Sequence, residues 1–177
     1  MGVEPAFIES TLGQWTGIPH RLQFFHTWQS PSGTKFRFFN DSCSTVPEAA
    51  AVASQSFGKQ VVFITGGTDK GLDFMPLAAT LNYKDSFSTK VYKLYLLDGT
   101  GTEKLVQLLK KDQIDFDKPF DSLELLLKKL KEDLLMAGDS FLSDTIVFSP
   151  GATSFGMFAN EFDRGNKFMN LVKEIFT

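Results

Sequence analysis

From residue 34 onward the chain alternates two kinds of segment. Short apolar runs rich in β-branched and aromatic residues (34–39, 60–65, 90–97 and 144–148) are each followed by a loop of small residues and then by a helix-like segment. Strands that are apolar throughout suit burial on both faces, and strand–helix alternation selects a parallel sheet with right-handed crossovers. The expected fold class is α/β: a three-layer Rossmann-like domain, with a mostly parallel sheet of about six strands and helices on both faces. Residues 22–28 supply a further strand, joined to 34–39 by Gln29-Ser-Pro-Ser-Gly33, which has hairpin chemistry. Residues 112–118 are expected to add a short edge strand.

The helical segments follow from spacing and capping. Pro47 suits a first turn, with Glu48 near the positive end of a helix reaching about residue 57. Helices are also expected over 74–81, over 102–111, from a cap at Asp121 or Ser122 to about Gly138, and within 160–176. In the last of these, Phe168, Leu171, Val172 and Ile175 share the inner face. Residues 5–16 form an amphipathic segment with Phe7, Ile8, Leu12 and Trp15 on one side, a helix that must dock on something. Residues 82–89 are polar and expected as a surface loop.

Composition excludes several functions. A chain of 177 residues buries roughly 70% of its unfolded surface and needs no disulfide or metal to fold. The net charge of -3 gives no footprint for nucleic acid. Cys43 is the single cysteine, and His20 and His26 are the two histidines, without carboxylates at ligand spacing, so no metal site is expected. No apolar run approaches the length of a membrane span and the N-terminus lacks a signal-peptide pattern, so the expected location is cytoplasmic. Nineteen phenylalanines point to a ring-packed core rather than an aromatic binding platform.

Three strand-to-helix loops carry the candidate chemistry, because ligands of α/β sheets bind where such loops meet at the carboxyl ends of strands. Asp41-Ser-Cys-Ser-Thr45 offers groups for a sugar hydroxyl or an anion, and reads equally as a cap for the helix at Pro47. Gly66-Gly-Thr-Asp-Lys-Gly71 places Lys70 where a point charge reaches an anion at the sheet edge; a solvated turn lysine is the alternative, and the doubled glycine favours a ligand loop. Ser149, Thr153 and Ser154 can hold a carboxylate or cap a helix. A fourth turn, Asp98-Gly-Thr-Gly-Thr102, lacks the third glycine of a dinucleotide fingerprint and the Gly-Lys-[Ser/Thr] ending of a P-loop, and reads as a plain strand–helix turn. Arg21 beside His20 reads as a surface turn.

Taken in order, four motifs resemble the C-terminal domain of the Mur ligases, and within that family the D-glutamate-adding members. They are Gly17-Ile-Pro-His-Arg-Leu22; Phe38-Phe-Asn-Asp-Ser42 with Thr45, Pro47 and Glu48; Gly66-Gly-Thr-Asp-Lys-Gly-Leu-Asp-Phe74 with Leu77; and Ser149-Pro-Gly-Ala-Thr-Ser-Phe155 with Phe158, Asn160, Arg164, Gly165 and Phe168. The resemblance runs from about residue 2 to the end. It implies that residues 1–17 are the tail of a preceding central ATPase domain and 18–177 the amino-acid-binding domain.

The implied reaction adds D-glutamate to a UDP-linked muramoyl substrate in peptidoglycan synthesis through an acyl phosphate. ATP and Mg2+ would be held mainly by the central domain, so no catalytic residue is expected here and the chain alone is expected to be inactive. By position, Arg21 and Asp41 would face the nucleotide, and Thr45, Lys70, Ser154 and Phe155 would form the D-glutamate pocket. The chain departs from the family pattern at Cys43, where a lysine is usual, at Val46, where asparagine is usual, at Gly156, where an acid is usual, and at Glu161-Phe162, where an aromatic precedes an acid. A thiol with pKa near 8.5 is mostly neutral at pH 7, so the first departure removes a cation. Two alternatives stay open: a non-catalytic small-molecule or nucleotide-binding module of the same fold, and a Mur-type ligase for another amino acid.

Overall fold

The computed structural model describes residues 2–15, 17–81 and 91–177. The loop expected at 82–89 lies outside these residues. A helix, α1 (Pro5–Gln14), precedes a hairpin of β1 (Gln23–Gln29) and β2 (Lys35–Asn40). Then come α2 (Pro47–Gln55), β3 (Val61–Thr65), α3 (Met75–Leu81), β4 (Val91–Leu96), α4 (Thr100–Lys111), α5 (Leu123–Ala137), β5 (Thr145–Phe148) and α6 (Glu161–Ile175).

The strands form one sheet in the order β1-β2-β5-β3-β4. β5 runs parallel to β2 on one side and to β3 on the other, β3 is parallel to β4, and only β1 is antiparallel, at the edge. β3 and β5 are buried at every position, as strands with helices on both faces must be.

Alternation sorts their side chains into two cores, giving three layers. Val62, Ile64, Ile146 and Phe148 pack with Leu126, Leu127, Leu130 and Leu134 of α5 and with Phe168 and Val172 of α6. On the other face Val61, Phe63 and Val147 pack against Ala50 and Ala53 of α2, Leu77 of α3, and Leu105 and Leu109 of α4. The alanines of α2 let that helix lie close to the sheet. Many of the phenylalanines serve the first core: the Phe148 and Phe168 ring centroids are 4.4 Å apart, and those of Phe38 and Phe176 are 4.7 Å apart.

One expectation is corrected. The edge strand at 112–118 does not form, and among the described residues the sheet has five strands. The segment is rich in Asp and Lys, Gln113 adopts a positive φ of 55°, and Pro119 has no N–H to give to a ladder. What forms instead is a single parallel bridge between Leu97 and Phe120, with the Phe120 N–H on the Leu96 carbonyl and the Asp98 N–H on the Phe120 carbonyl. Helix α1 forms, ends at Gln14 and buries none of its residues. Phe7, Ile8, Leu12 and Trp15 are all exposed, so within the described residues the helix docks on nothing. Other boundaries move by one or two residues; α5 is capped by Ser122, whose Oγ accepts the Leu125 N–H.

Candidate functional site

The three loops lie side by side because the strands that launch them are neighbours: β2, β5 and β3 point the same way. Loop 149–159, after the central β5, is gripped from both sides. The Pro150 carbonyl accepts the Gly66 N–H and the Thr65 hydroxyl, both at 2.9 Å. On the other side the Gly151 N–H bonds the Ser44 carbonyl at 2.9 Å. Further out, the Thr153 N–H and hydroxyl both donate to the Thr68 carbonyl, and the Thr68 hydroxyl donates to the Phe155 carbonyl.

The glycine-rich turn after β4 is the packing partner of the doubled glycine. A Cβ on Gly66 (φ +108°) would lie 2.4 Å from the Leu97 carbonyl oxygen, and one on Gly99 (φ +148°) would lie 2.5 Å from the Gly67 carbonyl group. Thr102 closes the contact by accepting the Gly67 N–H at 2.9 Å and donating to the Leu97 carbonyl. The 98–102 turn is thus a strand–helix turn whose approach explains Gly66, while a Cβ on Gly67 would lie 3.1 Å from the Thr153 carbonyl oxygen.

Asp41 is buried, and its carboxylate is occupied by the chain itself. It accepts the Leu22 N–H at 3.0 Å, the Ser149 hydroxyl at 2.7 Å and the Ser44 hydroxyl. The Ser149 hydroxyl, a candidate for holding a ligand carboxylate, is thus taken up by Asp41. Capping does not explain the 41–45 loop: the residue that caps α2 is Val46, with no side-chain bond. Asp41 instead ties the Arg21 turn to the end of β5, leaving Arg21 itself exposed.

Beside it lies a buried polar cluster that sequence reasoning did not assemble. Arg164, 1% exposed, donates from Nε to the Ser42 Oγ at 3.0 Å, from Nη2 to the Ser42 carbonyl at 2.8 Å and from Nη1 to the Ala152 carbonyl at 2.9 Å. Burial lowers its pKa to about 10. His20 is also buried, with Nδ1 2.9 Å from the Asn40 Nδ2, and burial lowers its pKa. Asn40 donates as well to the Gly165 carbonyl and accepts the Ser42 N–H, so its amide orientation makes His20 Nδ1 the acceptor of a neutral imidazole.

One sign of this cluster was available in the sequence. Arg164 sits four residues before Phe168 and eight before Val172, on the apolar stripe of α6. A charge on an inward stripe is seldom solvated. His20 and Asn40 carried no comparable signal, because their meeting depends on how α6 crosses the hairpin.

The remaining candidates are placed as follows. Ser154 is buried and Phe155 is exposed at the mouth of a narrow cleft, whose walls include Gly67, Thr68, Asp98 and Arg164. Lys70 is exposed at the tip of its loop and makes no ion pair among the described residues. The tip is shaped by Asp69, which accepts the Gly71 and Leu72 N–H groups and pairs with Lys104; the Lys104 bond, before the backbone bonds, lowers its pKa. Thr45 is half-buried on the other side of loop 149–155. No hydrogen bond among the described residues joins Thr45 or Lys70 to Ser154 or Phe155; what brings them together is the shared sheet edge. Cys43 is half-buried, with its N–H on the His20 carbonyl. Burial pushes its thiol pKa up against the opposing charge of Arg21, which keeps it neutral.

Sheet order defines a Rossmann-like three-layer α/β domain in which the three candidate loops follow the carboxyl ends of β2, β5 and β3. No family model matches the chain. It is similar over nearly its whole length to curated proteins named UDP-N-acetylmuramoylalanine–D-glutamate ligase. Identity is 44% to that of Treponema pallidum, covering 96% of this chain and 28% of the relative. It is 35% to that of Roseiflexus, covering 99% and 34%. For Aquifex aeolicus it is 33%, covering 100% and 38%. The chain is thus homologous to part of these D-glutamate ligases, and spans about a third of the length of the curated relatives it matches.

Proposed function

We propose that this chain is the C-terminal, amino-acid-binding domain of an ATP-dependent ligase that joins D-glutamate to UDP-N-acetylmuramoyl-L-alanine. The observation that carries the reading is the convergence of loops 41–46, 66–71 and 149–155 on one sheet edge, in a chain homologous to such ligases throughout. Residues 18–177 form the domain, and residues 1–17 are the tail of a central ATPase domain. The exposed apolar side of α1 supports this, since it calls for a partner outside the described residues.

In the proposed reaction a carboxylate of the nucleotide-linked substrate is phosphorylated by ATP. The amine of D-glutamate attacks the acyl phosphate, the amide forms and phosphate leaves. The task of this chain is to hold the amino acid for attack. Lys70 pairs with one carboxylate of D-glutamate, Ser154 and nearby N–H groups meet the other, and Thr45 and Phe155 border the pocket. Arg21, exposed beside the first loop, faces the nucleotide; Asp41 acts there through the backbone it fixes.

ATP and Mg2+ are assigned mainly to the central domain. Among the described residues no three His, Cys, Asp or Glu side chains gather as metal ligands, and no metal step is derived for this chain. No described helix is long and apolar enough to cross a membrane, and a nucleotide-linked substrate fits a cytoplasmic location.

The chain in its full-length protein is expected to release phosphate from ATP only when both the muramoyl substrate and D-glutamate are present. The isolated 177 residues are expected to release none. A full-length protein that turns over with no amino acid contradicts the reading. Binding of D-glutamate without turnover would favour a non-catalytic module, which the neutral Cys43 thiol at a usual lysine position supports. Turnover with a different amino acid would favour another Mur-type ligase.

A further inference from the structure

Arg164 is a buried positive charge between two of the candidate loops, with no counter-charge in ion-pair contact among the described residues. Its three acceptors, the Ser42 Oγ, the Ser42 carbonyl and the Ala152 carbonyl, are all neutral. No carboxylate lies within ion-pair distance of it among the described residues; Glu161, one turn earlier on α6, raises its pKa without pairing with it. A buried cation held only by dipoles is costly to keep, and its field is not cancelled locally. Two features make the cost informative. The guanidinium bridges the loop that holds Cys43 and Thr45 to the loop that holds Thr153 and Ser154. It also lines, with Ser154 and Phe155, the narrow cleft between these loops. Cys43, next to Ser42 in the first of these loops, has a thiol whose pKa burial raises, and supplies no cation there.

We infer that Arg164 is a positioning residue for the amino-acid substrate: it locks loops 41–46 and 149–155 in one relative position and supplies fixed positive charge at the cleft for a substrate carboxylate. The inference rests on the ligase reading above and adds to it a buried residue. A charge that needs no reorganisation when the substrate arrives favours an anionic ligand more than a surface lysine does. It also selects a dicarboxylic amino acid over a neutral one of similar size.

The test uses the full-length ligase with Arg164→Gln and Arg164→Lys. Arg164→Gln should raise KM for D-glutamate about tenfold or more, the loss expected for a charged contact. The ATP KM should stay within about twofold, the scatter of an unaffected interaction. Arg164→Lys keeps the charge and loses the fork, so it should recover part of the D-glutamate KM. Added salt should raise that KM in the unsubstituted protein and less so in Arg164→Gln. A fall in kcat or in melting temperature for both variants, with D-glutamate KM unchanged, would overturn the inference and leave Arg164 a structural tie. If Arg164→Gln does not fold, the KM of Arg164→Lys decides: an unchanged value with lowered stability counts against. Absence of D-glutamate-dependent phosphate release in the unsubstituted protein would sink the ligase reading, and this inference with it.

Discussion

At the scale of single residues, buried polar groups decide the site's shape, and each is held by partners far away in sequence. Replacing Asp41 by Asn leaves a neutral group among three donors that now meet a carboxylate. It should destabilise the chain by about 1–3 kcal/mol, read as a lowered urea midpoint at unchanged slope. Gly165 is a second such point, because a Cβ there would lie 2.2 Å from the His20 Nδ1. Gly165→Ala should cost about 1–3 kcal/mol by overpacking, in the same assay. His20 makes stability depend on pH. Its folded pKa is lowered by burial, so the unfolded chain takes up its proton first as pH falls. The contribution is complete above the ordinary histidine pKa of about 6.5 and is lost as pH drops from there toward the folded value. Melting temperature should fall between pH 7 and 5 more steeply for the native chain than for His20→Asn. Equal slopes would show that His20 takes up its proton alike in the folded and unfolded chain.

At the scale of elements, the strands and helices that sequence showed best are those with one clear period and a chemical stop. The run 60–65 became β3, and the leucine stripe after Ser122 became α5. The segment 112–118 misled because it alternates charge and apolar residues like a strand, while Pro119 and the turn at Gln113 prevent pairing. Helix α1 was legible from its periodicity, and it forms with no surface among the described residues receiving its apolar side. The loops were legible as ligand loops from their small residues after strands. Their internal fastening was not, since Asp41 with Ser149 and Arg164 with Ser42 pair residues more than a hundred positions apart. A further link of this kind joins β4 to α5. Asp133, whose burial is outweighed by bonds from Lys129, Lys93 and Tyr95, is held down at about 2. Asp133→Ala leaves the buried Tyr95 hydroxyl without its acceptor and should cost about 1–3 kcal/mol in thermal or urea unfolding.

At the scale of the whole molecule, the domain presents one sheet edge whose loops are braced from below and open above. Braced backbone fixes where side chains stand, while exposed Lys70 and Phe155 are left to meet a ligand. The central claim is that this edge binds the carboxylates of D-glutamate, with Lys70 as its free cation. The direct measurement is the D-glutamate KM of the full-length protein carrying Lys70→Ala, read from phosphate release. The account predicts a rise of about tenfold or more with the ATP KM unchanged, as loss of one charged contact requires. A D-glutamate KM equal to that of the unsubstituted protein would contradict it.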